Sequence, residues 1–164
     1  MQMSMGATSL GQVRERHVGA MRLTCEILDH IARGISEEQA HALRDGPDGW
    51  SIVEIVCHLR DFDAIFRSRA QMMLSEDRPR LPAYDHEAMA LERAYQQERL
   101  SSACEQLKAS RRATIAFFAS LTPEQWARDG VHPEREGFTM TDAVMQVGLH
   151  DLDHLEQITR ILAV

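Results

Sequence analysis

Apolar residues recur every three or four positions along four stretches of the chain. Val13, Ala20, Thr24, Ile27 and Ile31 form the first stripe, and Ile52, Ile55, Leu59, Phe62 and Phe66 the second. Leu100, Cys104, Leu107, Thr114, Phe117 and Leu121 form the third, and Met140, Val144, Val147, Ile158 and Ile161 the fourth. This spacing places each set on one face of an α-helix. Polar residues mark where the helices begin. Ser9 with Gln12, Ser36 with Gln39, Ser51 with Glu54, and Thr139 with Asp142 follow the capping-box pattern, and Thr122 caps ahead of Pro123.

The predicted elements are a first helix from Ser9 to about Arg33, ended by Gly34, and a short helix from Ser36 through Leu43. The dense turn Asp45–Gly49 follows, then a second long helix from Ser51 to about Leu74. Residues 75–85 read as a loop, long enough to cross the end of a bundle. A helical piece starts near His86 and is interrupted around Tyr95–Gln97 before the third long helix. A short helix follows Thr122, then a loop over Val131–Gly137, and the last helix runs to Val164. Strand signal is nearly absent, so the expected fold class is all-α, a four-helix bundle with short extra helices in the connections. Residues 1–8 are expected to be a flexible tail and 9–164 a single domain.

Composition narrows the function classes. The 164 residues are 44% hydrophobic and 26% charged, with a formal net charge of −7. That balance argues against a general nucleic-acid binder and against docking on an anionic membrane, both of which need a basic surface. Cys25, Cys57 and Cys104 are scattered and include no Cys-x-x-Cys pair, which suits a reducing cytoplasm. No apolar run reaches the roughly 18 residues of a membrane span. The expected location is cytoplasmic.

The candidate chemistry lies in the last helix. His150 and His154 are one turn apart, stacked on one face and within reach of a single ion. They fall at and within the apolar stripe, where polar groups without partners cost roughly 1–3 kcal/mol each. His58 borders the buried face of the second helix. Three neutral imidazoles from two packed helices can bind a first-row divalent ion and leave one position open. Zinc there would lower the pKa of a water to roughly 7, and the same position could activate a thiol. Imidazoles suit Zn, Ni, Fe or Cu alike. The glutamate of the His-Glu-x-x-His proteases is absent, since position 151 is Asp. Asp151 sits in the inward stripe and is the candidate catalytic residue. It reads as an acceptor behind a ligand, an extra ligand, a general base, or the buried partner of Arg111 or Arg112. Those arginines in turn read as ion-pair partners or as anchors for an anionic substrate. Glu54 and Asp61 read either as acceptors that orient His58 or as solvated acids. His17, His86 and His132 carry weaker signals: a helix-end histidine, an exposed one and a loop residue. Cys57 points away from His58 and forms no dyad with it.

The order of the motifs resembles a known family. Gly49-Trp50-Ser51-x-x-Glu54-Ile55-x-x-His58-Leu59-x-Asp61 opens the second helix, and Gly137-Phe138-Thr139-x-x-Asp142 leads to His150-Asp151-x-x-His154-Leu155-x-Gln157-Ile158. This is similar to the DinB/YfiT-like family of metal-dependent enzymes, from the first helix to the end of the chain. The resemblance implies an up-down-down-up bundle, a metal site at His58, His150 and His154, and frequent homodimers. It also implies hydrolase chemistry or transferase and isomerase chemistry with low-molecular-weight thiols, acting on a small-molecule substrate. The alternatives are a non-catalytic metal- or ligand-binding stress-response protein and a bundle whose histidines are purely structural.

Overall fold

The computed structural model describes residues 9–163; the tail expected over 1–8 and the last residue of the predicted final helix lie outside them. The elements are α1 (Leu10–Ala32), α2 (Glu37–Ala42), α3 (Ile52–Ser75), α4 (His86–Glu92), a 3₁₀ turn (Tyr95–Gln97), α5 (Leu100–Ala119), α6 (Pro123–Trp126), β1 (Asp129–His132), β2 (Arg135–Thr139) and α7 (Met140–Leu162). The helix starts follow the capping grammar of the sequence. Reciprocal boxes close at Ser9–Gln12, Ser36–Gln39, Thr122–Gln125 and Thr139–Asp142. At α3 the Glu54 carboxylate accepts from both the backbone N–H (2.7 Å) and the hydroxyl (2.8 Å) of Ser51.

Cross-helix hydrogen bonds fix the directions of the four long helices. Arg14 Nε donates to Thr141 Oγ1 at 3.0 Å, and Thr24 further along α1 meets Asp151 further along α7, so these two helices run parallel. Arg60 reaches Gln106 (3.2 Å) and Arg67 reaches Thr114 (2.7 Å), so α3 and α5 also run parallel. In contrast, Asp29 accepts from Lys108 while Met21 carbonyl accepts from Arg111, which makes α1 and α5 antiparallel. The result is a four-helix bundle with up-down-down-up order. The crossover it needs is the segment 76–99. Asp61 anchors that segment by accepting from Tyr95 Oη (2.6 Å) and Arg93 Nη1 (2.8 Å), with Arg60 Nε also bonded (2.8 Å).

Two apolar clusters fill the bundle. One gathers Leu28, Leu59, Tyr95, Leu107, Leu155 and Ile158; the other gathers Met21, Phe66, Met73, Phe118, Phe138 and Val147. A polar layer separates them, with one residue from each long helix: Thr24, Asp63, Arg111 and Asp151. Two details differ from the predicted stripes. On α1 the buried residues are Met21, Thr24 and Leu28, while Ile27 is exposed, because α1 meets α5 and α7 along a line one position further round. On α5, Phe118 rather than Phe117 continues the buried row.

The loop expected over Val131–Gly137 is instead most of an antiparallel hairpin, pairing Asp129 with Thr139 and His132 with Arg135. Its strands are too short for alternation to register in the sequence. Tertiary packing supplies what the local pattern lacks: Phe138 is buried, Val131 exchanges backbone hydrogen bonds with Pro79 and Leu81, and a Cβ on Gly130 would crowd Met73 and Pro79 at 3.2 Å. The hairpin leads directly into the Thr139 cap of α7.

Candidate metal centre

Because α3 and α7 run antiparallel, His58 in the second turn of α3 faces the middle of α7. There His150 and His154 project one turn apart. One ring nitrogen from each of the three histidines lies within 4.8 Å of the others. The Nε2 atoms of His58 and His150 are 2.9 Å apart. His58 is almost fully buried and the other two are half-buried at the floor of an open cleft of about 420 Å3. Phe62 lies beneath, its ring 4.3 Å from the centroid of His58 and 5.5 Å from that of His150.

The electrostatics keep these imidazoles neutral. Burial, helped by His150 and His154, pushes His58 down to about 2. Burial, with His154 and Arg111, pushes His150 down to about 3. Burial also lowers His154. Neutral imidazole is the form that ligates metal. Between His58 and His150 only one Nε2 can carry a proton, and the Nδ1 of His58 is buried without a partner in either tautomer. As a hydrogen-bonded pair the two rings are thus poorly satisfied. As a donor set they fit a first-row divalent ion: two nitrogens sharing a tetrahedral zinc sit about 3.3 Å apart, close to their present spacing.

The third ring is oriented by a chain of hydrogen bonds. His154 Nδ1 donates to Gln157 Oε1 at 2.8 Å, which leaves its Nε2 lone pair for the cleft. Gln157 Nε2 donates to Asp45 Oδ2 at 2.9 Å, and Arg160 Nη1 donates to Asp45 Oδ1 at 2.5 Å. Because Asp45 only accepts, the Gln157 amide is held with its oxygen toward the histidine. Asp45 opens the turn that ends at Gly49, where a Cβ would fall 1.9 Å from the Asp45 carbonyl oxygen, so only glycine fits. That turn delivers Trp50 to the cleft wall, its ring 4.8 Å from that of His58.

The structure places Asp151 elsewhere. Its carboxylate makes a two-pronged pair with Arg111, Oδ2 to Nη1 at 2.5 Å and Oδ1 to Nη2 at 2.9 Å, and accepts from Thr24. Arg111 Nε also donates to Asp63 at 2.6 Å. Burial alone would lower the guanidinium of Arg111, but Asp151 and Asp63 outweigh it and raise it. Of the two arginines, Arg111 is therefore the one bound to an inner acid; Arg112 is exposed. Glu54 and Asp61 do not stand behind His58 either: one caps α3 and the other anchors the crossover. For Asp61, burial raises the carboxyl but the bonds from Arg60 and Tyr95 outweigh it and hold it below its ordinary range.

The remaining candidates sort by position. His17 stays outside the cluster. His132 is buried in the hairpin, its Nδ1 accepting from the Glu134 backbone N–H at 3.2 Å. Cys57 lies in the core, and burial pushes its thiol up to about 12, far from a reactive thiolate. His86 is exposed as expected but stands at the cleft rim, its ring 6.0 Å from that of His58. Trp50, His86, Glu87 and Gln157 line the cleft without having been singled out for it by sequence. Only Gln157 carried a local signal, an amide three residues after His154 on the same helix.

A bundle whose antiparallel pair of helices brings three neutral imidazoles to the floor of a cleft defines a class of helical proteins with a candidate metal centre. The chain belongs to the DinB superfamily, whose model matches residues 20–158. The fold is similar to that of YfiT from Bacillus subtilis, described as a probable metal-dependent hydrolase with an unusual four-helix bundle topology. That match has a TM-score of 0.84 at 19% identity and covers 98% of this chain and 91% of YfiT. The fold is also similar to that of a mycothiol-dependent maleylpyruvate isomerase, with a TM-score of 0.74 at 12% identity over 92% of this chain. The chain spans 63% of the isomerase's length. At these identities the likeness is one of fold. No curated protein matches the sequence. Among the described residues, no helix is long and apolar enough to cross a membrane.

Proposed function

We propose that this chain is a single-domain, metal-dependent enzyme acting on a small molecule, with His58, His150 and His154 holding one divalent transition ion, Zn or Ni ahead of Fe or Cu. The observation that carries this is the convergence of three neutral imidazoles, poorly satisfied by one another, on the floor of a cleft open to solvent. A divalent ion bound there would supply Lewis acidity, polarising a carbonyl or lowering the pKa of a coordinated water or thiol.

The protein's own groups then have definable tasks. Gln157 holds the His154 ring with Nε2 toward the cleft. Phe62 and Trp50 wall the cluster and limit water behind it. His86 stands at the rim, its ring 6.0 Å from that of His58, within reach of a ligand in the cleft. Asp151 is set aside as a catalytic residue, since both its oxygens are committed to Arg111 and Thr24. The reaction is hydrolysis, or group transfer with a low-molecular-weight thiol; YfiT supports the former and the mycothiol-dependent isomerase the latter. Homodimer formation and a cytoplasmic location belong to the same reading, supported by the family resemblance and by the cysteine pattern, and sedimentation would test the dimer.

Turnover is tested by reconstituting the protein with zinc or nickel and screening carboxylic esters and amides with and without added thiols. Activity that appears with metal, is abolished by chelator and is lost in His150→Ala supports an enzyme. Stoichiometric metal binding without turnover favours the non-catalytic binding protein.

A further inference from the structure

The mouth of the cleft carries a charge pattern of its own. Asp48 and Glu87 line it, one from the Asp45–Gly49 turn and one from the first turn of α4, and no lysine or arginine does. Arg44, beside the turn, is engaged by the chain: it donates to the Gly49 carbonyl at 2.7 Å and pairs with Glu54 at 3.4 Å. Arg160 is bonded to Asp45, and Arg93 to Asp61. Glu87 is held at the rim, because Trp50 Nε1 donates to its Oε2 at 3.1 Å. The indole therefore lies between the carboxylate above and the histidine floor below, its ring 5.7 Å from His86 and 4.8 Å from His58. For Asp48, no hydrogen bond or ion pair is found among the described residues. Below this rim the floor offers neutral nitrogens only.

We infer that the cleft selects ligands that carry an ammonium or similar cationic group at the end remote from the metal-binding atom, and disfavours those with a carboxylate or phosphate there. This rests on the metal-centre reading above. The physics is direct. A cation at the mouth meets two carboxylates beside the Trp50 indole, each attractive. An anion meets two like charges with no lysine or arginine in the lining to compensate for them, and the rim imidazole of His86 lies 3.8 Å from the Glu87 carboxylate. Substrates or thiols of net positive charge at the outer end are thus favoured over the dianionic acids that a basic cleft would take.

The test separates this inference from the reading beneath it. The full chain is loaded with Co(II), whose visible ligand-field absorption reports whether the three histidines bind an ion at all. Cysteamine and 3-mercaptopropionate are then titrated separately, and the thiolate-to-cobalt charge-transfer band reports binding, the thiol proton passing to the buffer. Both titrations are repeated on Asp48→Asn/Glu87→Gln and on a remote control, Glu15→Gln/Asp77→Asn, which removes the same charge far from the cleft. Comparing the same two thiols across proteins cancels their intrinsic acidity. The preference for cysteamine should fall about tenfold in the cleft variant at low salt, stay within about twofold of wild type in the control, and shrink in wild type as salt is raised. An unchanged preference in the cleft variant, or an equal loss in the control, would overturn the inference while leaving the metal centre intact. Absence of any ligand-field band would overturn the metal centre, and the inference with it.

Discussion

His150 and Asp151 are neighbours on α7, both turned inward, yet they end in opposite circumstances. Asp151 enters a layer to which every long helix contributes: Thr24 and Arg111 donate to its carboxylate, and Asp63 holds Arg111 through the guanidinium Nε. His150 enters a cluster in which one ring nitrogen meets another ring nitrogen, and a buried atom of His58 has no partner at all. A folded chain rarely leaves buried polar atoms unpaired. The satisfied group is accounted for by the architecture; the unsatisfied one asks for something outside the chain. The contrast teaches that burial of a polar side chain in the bundle is no mark of function until its hydrogen bonds have been followed.

The contrast can be broken first at its structural half. Arg111→Met leaves Asp151 buried without its counter-charge and Asp63 with only the more distant Arg67 (3.7 Å), and should cost about 3–5 kcal/mol, read by denaturant unfolding. Metal binding in whatever fraction remains folded should persist. A loss below about 1 kcal/mol would show that the layer is not the anchor its geometry suggests.

At the other half, His154→Ala should abolish stoichiometric metal uptake while the helical circular dichroism stays as in wild type. Retained uptake would remove His154 from the donor set. Between the two lies Gln157, which touches a candidate ligand and no ion. Gln157→Leu should weaken metal affinity about 10- to 100-fold, read by competition with a chromophoric chelator, without loss of stoichiometry. An unchanged affinity would reduce the Gln157–Asp45 link to a surface contact.

The cluster also sets a pH dependence. The folded pKa values of His58 and His150 lie near 2 and 3, below those of the unfolded chain. As pH falls below about 6.5 the unfolded state takes up protons that the folded state refuses, so stability of the metal-free protein falls, by up to about 1.4 kcal/mol per histidine per pH unit. The carboxylates with lowered pKa values, such as Asp61 and Glu54, lose their contribution only at lower pH, near the ordinary carboxylate range. The window from pH 6.5 to 5 therefore isolates the histidines. His58→Phe should flatten the stability curve there; an unchanged slope would mean that the cluster is not held neutral.

Much of this was legible in the sequence because it is local. Capping boxes and apolar spacing are written within one helix, and they place the starts of α1, α2, α3, α6 and α7. The pairing of His58 with His150 and His154 was legible because the fold follows from four amphipathic stripes and the spacing on α7 is itself a ligand pattern. The choice of Arg111 over Arg112 for Asp151 was not, since it depends on which face of α5 meets α1 and α7. The hairpin was hidden because four- and five-residue strands leave too few alternations, and tertiary contacts of Phe138 and Val131 stabilise it. Trp50, His86 and Glu87 were invisible as cleft residues because they come from two separate segments that meet only in the folded chain.

An ion held by His58, His150 and His154 would supply the partner that the chain itself does not. Elemental analysis of protein purified without chelator, beside His58→Ala and His150→Ala, tests this most directly. About one equivalent of a transition metal is expected in the wild type and none in either variant. A wild-type protein that carries no metal and takes up neither zinc nor nickel when they are added would contradict it.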